Sequence, residues 1–253
     1  MQKIRVEDTL SRSSGDVPPD DAIQEFLDLL NELKATGCNL LVVGDEPRCT
    51  FTRASKRLFG DAEAMRYRLL AVTDATPQSV ADRLPDAEST PRPVEETTHV
   101  LTHAQTPRCV TTSEISDSQR ELASVRETRI ADPELCGLQS ALVEGIETFA
   151  DATPRLRPGD LRVGIDSLGS LLDEYDQAVV RRCLDTVGRH VCKYDGMAHY
   201  VLPEAYDSDR VQSLLGAFDA VIEVRRVSDE YEHDAEERWH VPDEGLTIGW
   251  TPL

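Results

Sequence analysis

At 253 residues, 40% of them hydrophobic, the chain is long and apolar enough to bury a core, which excludes a disordered acidic tail. Its formal net charge of −20 argues against a nucleic-acid partner, because displacing counterions from phosphates takes a basic stripe, and the nearest features are the isolated pairs Arg181-Arg182 and Arg225-Arg226. No apolar run is long enough to span a bilayer and no apolar segment opens the sequence, so a cytoplasmic protein without a membrane partner is expected.

Only Lys3, Lys34, Lys56 and Lys193 among the 27 basic residues are lysines; the rest are arginines, set against 47 carboxylates. Such a surface is strongly hydrated and repels itself unless salt screens it, the Debye length falling to about 3 Å at molar salt. The combination reads as a surface built for a high-salt cytoplasm. The six cysteines, Cys38, Cys49, Cys109, Cys136, Cys183 and Cys192, have no paired spacing and read as small buried hydrophobes. His190 and Cys192 sit two apart with no second ligand pair at zinc spacing, so no metal site is expected.

Residues 1–17 read as a flexible leader and 18–253 as one α/β domain. A helix is expected from Pro18 to Ala35, capped by Asp20 or Asp21, with Ile23, Phe26, Leu27, Leu30 and Leu33 at helical spacing and Gly37 as its stop. Asn39 to Gly44 reads as a strand buried on both faces, Thr52 to Phe59 as a second helix, and Arg68 to Thr73 as a second buried strand. A short helix with Val80 and Leu84 follows. Strand and helix alternating in this order indicate a parallel sheet with crossover helices.

Residues 85–131, rich in Pro, Thr, Ser and Glu, read as an irregular excursion at the sheet edge, with strand candidates His99–His103 and Cys109–Thr112. An amphipathic helix is expected from Pro133 to Ala150, a third strand from Leu161 to Ser167, and then one long helix reaching about Lys193. Met197–Leu202 reads as a fourth strand, followed by a helix near Arg210–Leu215. Ala220–Val227 and Glu237–Val241 read as an antiparallel hairpin joined by the acidic turn Ser228 to Glu236.

These segments carry a resemblance. A helix, then Gly-Cys-Asn-Leu-Leu-Val-Val-Gly (37–44), a loop, a helix and a strand ending Val-Thr-Asp (72–74) resemble the start of a RecA/KaiC-type P-loop ATPase domain. Leu-Arg-Val-Gly-Ile-Asp-Ser-Leu (161–168) looks like that superfamily's second nucleotide motif, and Met-Ala-His-Tyr-Val-Leu-Pro (197–203) like its sensor strand. Phe-Asp-Ala-Val-Ile-Glu-Val (218–224) with Arg-Trp-His-Val-Pro (238–242) looks like its C-terminal hairpin. The likeness runs over about residues 20–250, and the chain is similar to haloarchaeal proteins related to KaiC-type domains. It implies a three-layer RecA-like fold with a mainly parallel central sheet and a C-terminal antiparallel hairpin. Since RecA-like domains commonly oligomerise with nucleotide at a subunit interface, it also makes a homo-oligomer a candidate assembly.

The phosphate loop of such domains needs G-x-x-x-x-G-K-[ST]: glycines let backbone N–H groups cradle phosphates, lysine neutralises them and the hydroxyl holds Mg²⁺. Here Gly44 is followed by Asp45-Glu46-Pro47-Arg48-Cys49-Thr50-Phe51, so Cys49 stands at the second glycine, Thr50 at the lysine and Phe51 at the hydroxyl. A loop one residue shorter makes Thr50 the hydroxyl but puts Cys49 where lysine belongs. Pro47 removes a backbone donor, and Asp45 and Glu46 put negative charge where phosphate docks. Arg48, Arg53 or Lys56 are the cations that could compensate, or else ordinary surface charges.

By the same resemblance Asp166 matches the Mg²⁺-side acid, Ser167 the residue that often follows it, and Asp74 the position of a catalytic glutamate, one methylene shorter. The bland alternative is that an acid at a strand end caps the next turn. The candidate vestigial or atypical nucleotide pocket is therefore Gly44, Arg48, Thr50, Asp74, Asp166 and Ser167.

Three functions follow from this. One is a non-catalytic regulatory or scaffolding domain without a cofactor, acting on a protein partner. Another is an atypical ATPase using ATP and Mg²⁺ with Arg48 or Lys56 as the phosphate cation. The third, suggested by the superfamily alone, is a DNA-associated recombination paralogue.

The charge balance also generates a prediction about salt. Melting temperature should rise steeply with KCl, with loosening below a few tenths molar as unscreened carboxylates repel. A flat curve from low to molar KCl would remove the high-salt reading.

Overall fold

The computed structural model describes residues 20–103, 124–153, 155–228 and 231–253. The expected leader and the strand candidate Cys109–Thr112 lie outside them. Helix α1 spans Asp20–Thr36 and stops at Gly37, whose φ of +81° is one that glycine adopts without strain. Strand β1 (Cys38–Val43), helix α2 (Arg48–Leu58), β2 (Tyr67–Val72), the short helices α3 (Pro77–Ala81) and α4 (Val94–Thr97), and β3 (Thr98–Thr102) follow. After β4 (Arg126–Arg129) come α5 (Leu135–Ala152), β5 (Leu161–Ile165), α6 (Gly169–Glu174), α7 (Gln177–Lys193), β6 (Met197–Leu202) and α8 (Asp209–Leu214). The C-terminal part holds β7 (Ala220–Arg226), β8 (Ala235–Val241), β9 (Leu246–Thr247) and β10 (Thr251–Pro252).

The strands join in one sheet of order β10-β8-β7-β1-β6-β5-β2-β3-β4, with β9 on β8. Pairings from β7 to β4 are parallel, and those of β8 with β7, β9 and β10 are antiparallel. The expected strands Asn39–Gly44, Arg68–Thr73, Leu161–Ser167 and Met197–Leu202 correspond to β1, β2, β5 and β6, with Gly44, Thr73, Asp166 and Ser167 just beyond the strand ends.

Alternation along the strands divides the core between two faces. Leu41, Val43, Leu69, Val163, Ile165 and Tyr200 pack with α5 and α7 on one face. Leu40, Val42, Val201 and Ile222 pack with Phe51 and Ala54 of α2 on the other, continued by Leu70, Val72 and Val80. The sheet is thus covered on both faces, with α2 and α3 on one and α5 to α8 on the other. No described helix is long and apolar enough to cross a membrane.

Four expectations are corrected. Helix α2 starts at Arg48, four residues before the expected Thr52, so residues 48–51 belong to its first turn. The helix expected to run unbroken to Lys193 is two: α6 ends at Glu174, and Asp176 starts α7 by accepting the Ala178 N–H at 2.8 Å. The 85–131 excursion carries the expected strand His99–His103 as β3, and beside it the unexpected parallel strand β4, which had no sequence signal because all its residues are exposed. In the C-terminal hairpin β8 begins at Ala235, two residues before the expected Glu237, and carries the additional strands β9 and β10.

Candidate functional site

In an open parallel sheet, ligands dock beyond the carboxyl ends of the strands, where successive connections leave toward opposite faces. Connections after β1 and β2 cross the α2 face, while those after β5 and β6 cross the α7 face. Both adjacent pairs, β2 with β5 and β1 with β6, therefore end in loops that diverge. The sequence candidates lie along this edge.

Hydrogen bonds within the chain join the loops. Asp166, 3% exposed, accepts the Thr73 N–H at 2.5 Å on Oδ1 and the Asp74 N–H at 3.2 Å on Oδ2. The Thr73 hydroxyl lies 2.9 Å from Asp166 Oδ1 and 2.6 Å from the Ser167 carbonyl, with one proton to give to either. Burial raises the Asp166 carboxyl above the ordinary range; the Thr73 bonds, the Arg83 charge and the Asp74 N–H oppose this without reversing it. Between β1 and β6, the Gly44 N–H donates to the Glu204 carbonyl at 2.8 Å.

Gly44 has its own structural reason. A Cβ there would lie 2.5 Å from the Val224 carbonyl oxygen, so only glycine lets the end of β1 run this close to β7. Only residues 44–47 separate β1 from α2, and Pro47 occupies the N-cap position without a side-chain cap. Thr50 is buried, its N–H donating to the Pro47 carbonyl at 3.0 Å, and Phe51 packs into the core against β1.

Arg48 turns to Asp74, giving Nη2 to Oδ2 at 2.5 Å and Nη1 to the carbonyl at 2.9 Å. Both side chains are about half exposed, so the pair contributes roughly 0–1 kcal/mol, but it occupies the guanidinium. The structure thus gathers Arg48, Asp74, Asp166 and Ser167 into one bonded chain, whereas Gly44 is tied to Glu204 and Thr50 faces inward. Sequence reasoning missed Thr73 and Glu204, which make the joints. Thr73 could have been suspected as a strand-end hydroxyl beside an acid, but nothing links Glu204 to Gly44 in sequence.

Beneath α2 lies a buried polar layer that sequence reasoning also missed. Thr52 Oγ1 is 3.1 Å from Ser79 Oγ, and Arg83, 1% exposed, donates to the Ser79 carbonyl at 2.6 Å and to its hydroxyl. His199 sits 3.1 Å from Ser55 Oγ, its pKa lowered to about 3 by burial and then by Arg83 and Arg162. Above the layer, an open groove of about 380 Å³ runs between α2 and α3, lined in part by Arg48, Arg53 and Lys56. Arg53 is paired with Asp234. No group of three or more His, Cys, Asp or Glu residues suited to a metal ion occurs among the described residues.

Residues 37–224 match the family of unknown function DUF7504, and the chain belongs to that family. No curated protein matches it. The matched span runs from the glycine before β1 to Val224, and so contains every candidate residue and both joints of the edge.

Asp166→Ala should lower stability by about 1–3 kcal/mol, since the part-buried Thr73 and Asp74 N–H groups would lose their acceptor. Asp166→Asn should cost less. The folded carboxyl titrates above the unfolded one, so its contribution is greatest at acid pH and is lost as pH rises through the folded pKa. The stability gap between wild type and Asp166→Asn should therefore narrow from about pH 4 to about pH 7. Denaturant melts at both pH values check this; a gap that widens with pH would contradict it.

Proposed function

We propose that the chain is a non-catalytic RecA/KaiC-like domain that acts as a regulatory or scaffolding component through contacts with another protein. One observation carries this reading: the crevice where a nucleotide would sit is closed by the chain's own bonds, Asp166 to Thr73 and Asp74, and Gly44 to Glu204. A phosphate at this edge would have to displace the Gly44–Glu204 bond, approach Asp45 and Glu46, and draw Arg48 away from Asp74. The residue types agree with the geometry: no lysine in the loop, no second glycine, and a proline where a donor is needed. The acidic, lysine-poor surface supports action at high intracellular salt.

The groove between α2 and α3 favours a second reading. Lys56 lies there with Arg48 and Arg53, which are paired with Asp74 and Asp234, so an atypical anion or nucleotide binder would use this groove rather than the closed crevice, drawing the arginines from those partners.

Titration of ATP, GTP and ADP with Mg²⁺ at molar KCl, read by calorimetry and melting shift, separates the two. The non-catalytic reading expects no Mg²⁺-dependent hydrolysis above background and no saturable binding tighter than about 0.1 mM, which corresponds to roughly 5.5 kcal/mol. Binding at that level, abolished by Arg48→Ala or Lys56→Ala, would replace it with the atypical binder.

A further inference from the structure

Strand β4 ends the sheet on the side away from the C-terminal hairpin, with β3 on one flank and no strand on the other among the described residues. Its residues Arg126, Glu127, Thr128 and Arg129 are all exposed. An edge strand offers its unpaired backbone groups as a template for another strand, and proteins commonly guard such edges with charged side chains, lysine above all. Strand β4 has no lysine; it carries both signs, in the order Arg-Glu-Thr-Arg.

Bonding to β3 fixes which backbone groups point outward. The Ile130 N–H donates to the Thr102 carbonyl at 3.0 Å. Backbone groups alternate in direction along a strand, so those of Thr128 also face β3, while the N–H and C=O of Glu127 and Arg129 point away from the sheet. The side chains are placed as well. Glu127 accepts the Thr102 hydroxyl at 2.8 Å, and Thr128 Oγ1 lies 2.9 Å from His99 Nε2. The outer edge is therefore an ordered template with its bonding groups at two alternate residues.

We propose that β4 pairs antiparallel with β4 of a second copy of this chain, about a two-fold axis at Thr128, so that two sheets become one. Only residues whose groups point outward can exchange bonds, which leaves two-fold registers centred on Glu127, Thr128 or Arg129 within the strand. The first and the last set two glutamates or two arginines face to face, and like charges directly opposite are destabilising. The middle register sets Glu127 opposite Arg129 of the second copy, and Arg129 opposite Glu127 of that copy. Both outward residues then bond through the backbone and through opposite charge. A strand self-complementary in this way specifies a symmetric dimer, and pairing removes the open edge. The interface uses no residue of the carboxyl-edge crevice or of the groove between α2 and α3, so it is independent of both functional readings.

The test is sedimentation equilibrium of the full chain in molar KCl, where a Debye length of about 3 Å screens the repulsion between two chains of net charge −20. A monomer–dimer equilibrium with a dissociation constant tighter than about 1 mM is expected. Glu127→Arg and Arg129→Glu each set like charges opposite one another in both pairs, and each should weaken the dimer about tenfold. The double variant E127R/R129E restores opposite charge and should return to within about threefold of wild type. Cross-linking reads the register independently, in a chain whose Cys49, Cys109 and Cys136 are replaced by serine. Thr128→Cys sets two thiols on the axis with Cα atoms about 4.5 Å apart, within disulfide reach, so oxidation should give a covalent dimer. Glu127→Cys, about 7–8 Å from its counterpart across the diagonal, should not. A chain still monomeric at about 1 mM, a dimer that withstands both single charge reversals, or cross-linking through Glu127→Cys rather than Thr128→Cys would overturn the proposal.

Discussion

The carboxylate of Asp166 joins two strands whose following loops leave in opposite directions. Taking it out of water is unfavourable, and the two backbone N–H groups at the end of β2, with the Thr73 hydroxyl beside them, offset that cost. Its consequences extend outward. Asp74, whose N–H is held by Asp166, presents its side chain to Arg48, so the first turn of α2 is tied through β2 to β5. Arg83 lies behind the same carboxylate and holds Ser79, which meets Thr52 of α2. An acid placed where a metal-binding residue would be expected by resemblance is thus occupied in fastening the edge.

Parts of this were legible in the sequence and parts were not, for identifiable reasons. Strands β1, β2, β5 and β6 are buried on both faces, so their apolar runs stand out from their flanks. Arg126–Arg129 is exposed at every position and lies at the sheet edge, so neither hydrophobicity nor alternation marks it. The early start of α2 is not marked by a capping side chain, Pro47 being its boundary residue. Candidate positions could be named, but what they bond to depends on register across the sheet. Gly44 meets Glu204 only because β1 and β6 pair with Val43 opposite Leu202.

The elements outside the family match converge on one place. Leu29 and Leu33 of α1 pack with Trp239, Leu246 and Leu253 on the core face of β1 and β7, and Phe26 meets Trp239 edge-on at 5.7 Å. At the far side of the hairpin, Glu223 accepts from Arg238 at 2.6 Å and pairs with His240 at 2.9 Å, while Arg225 and Arg238 lie 4.0 and 4.6 Å from the centre of the Trp250 ring. Burial works against the Glu223 carboxylate, yet its bonds to His240 and Arg238 hold its pKa below the ordinary range. These contacts fix the hairpin to the sheet by ion pairs, cation–π stacking and apolar burial together.

The central claim is that the carboxyl edge is held shut by the chain's own bonds, and amide hydrogen exchange tests it most directly. At molar KCl, the N–H groups of Gly44, Thr73 and Asp74 should be among the strongly protected ones, with protection unchanged by millimolar ATP and Mg²⁺. Rapid exchange at these three in the free protein, slowed on adding nucleotide, would mean that the edge is open and that a ligand closes it.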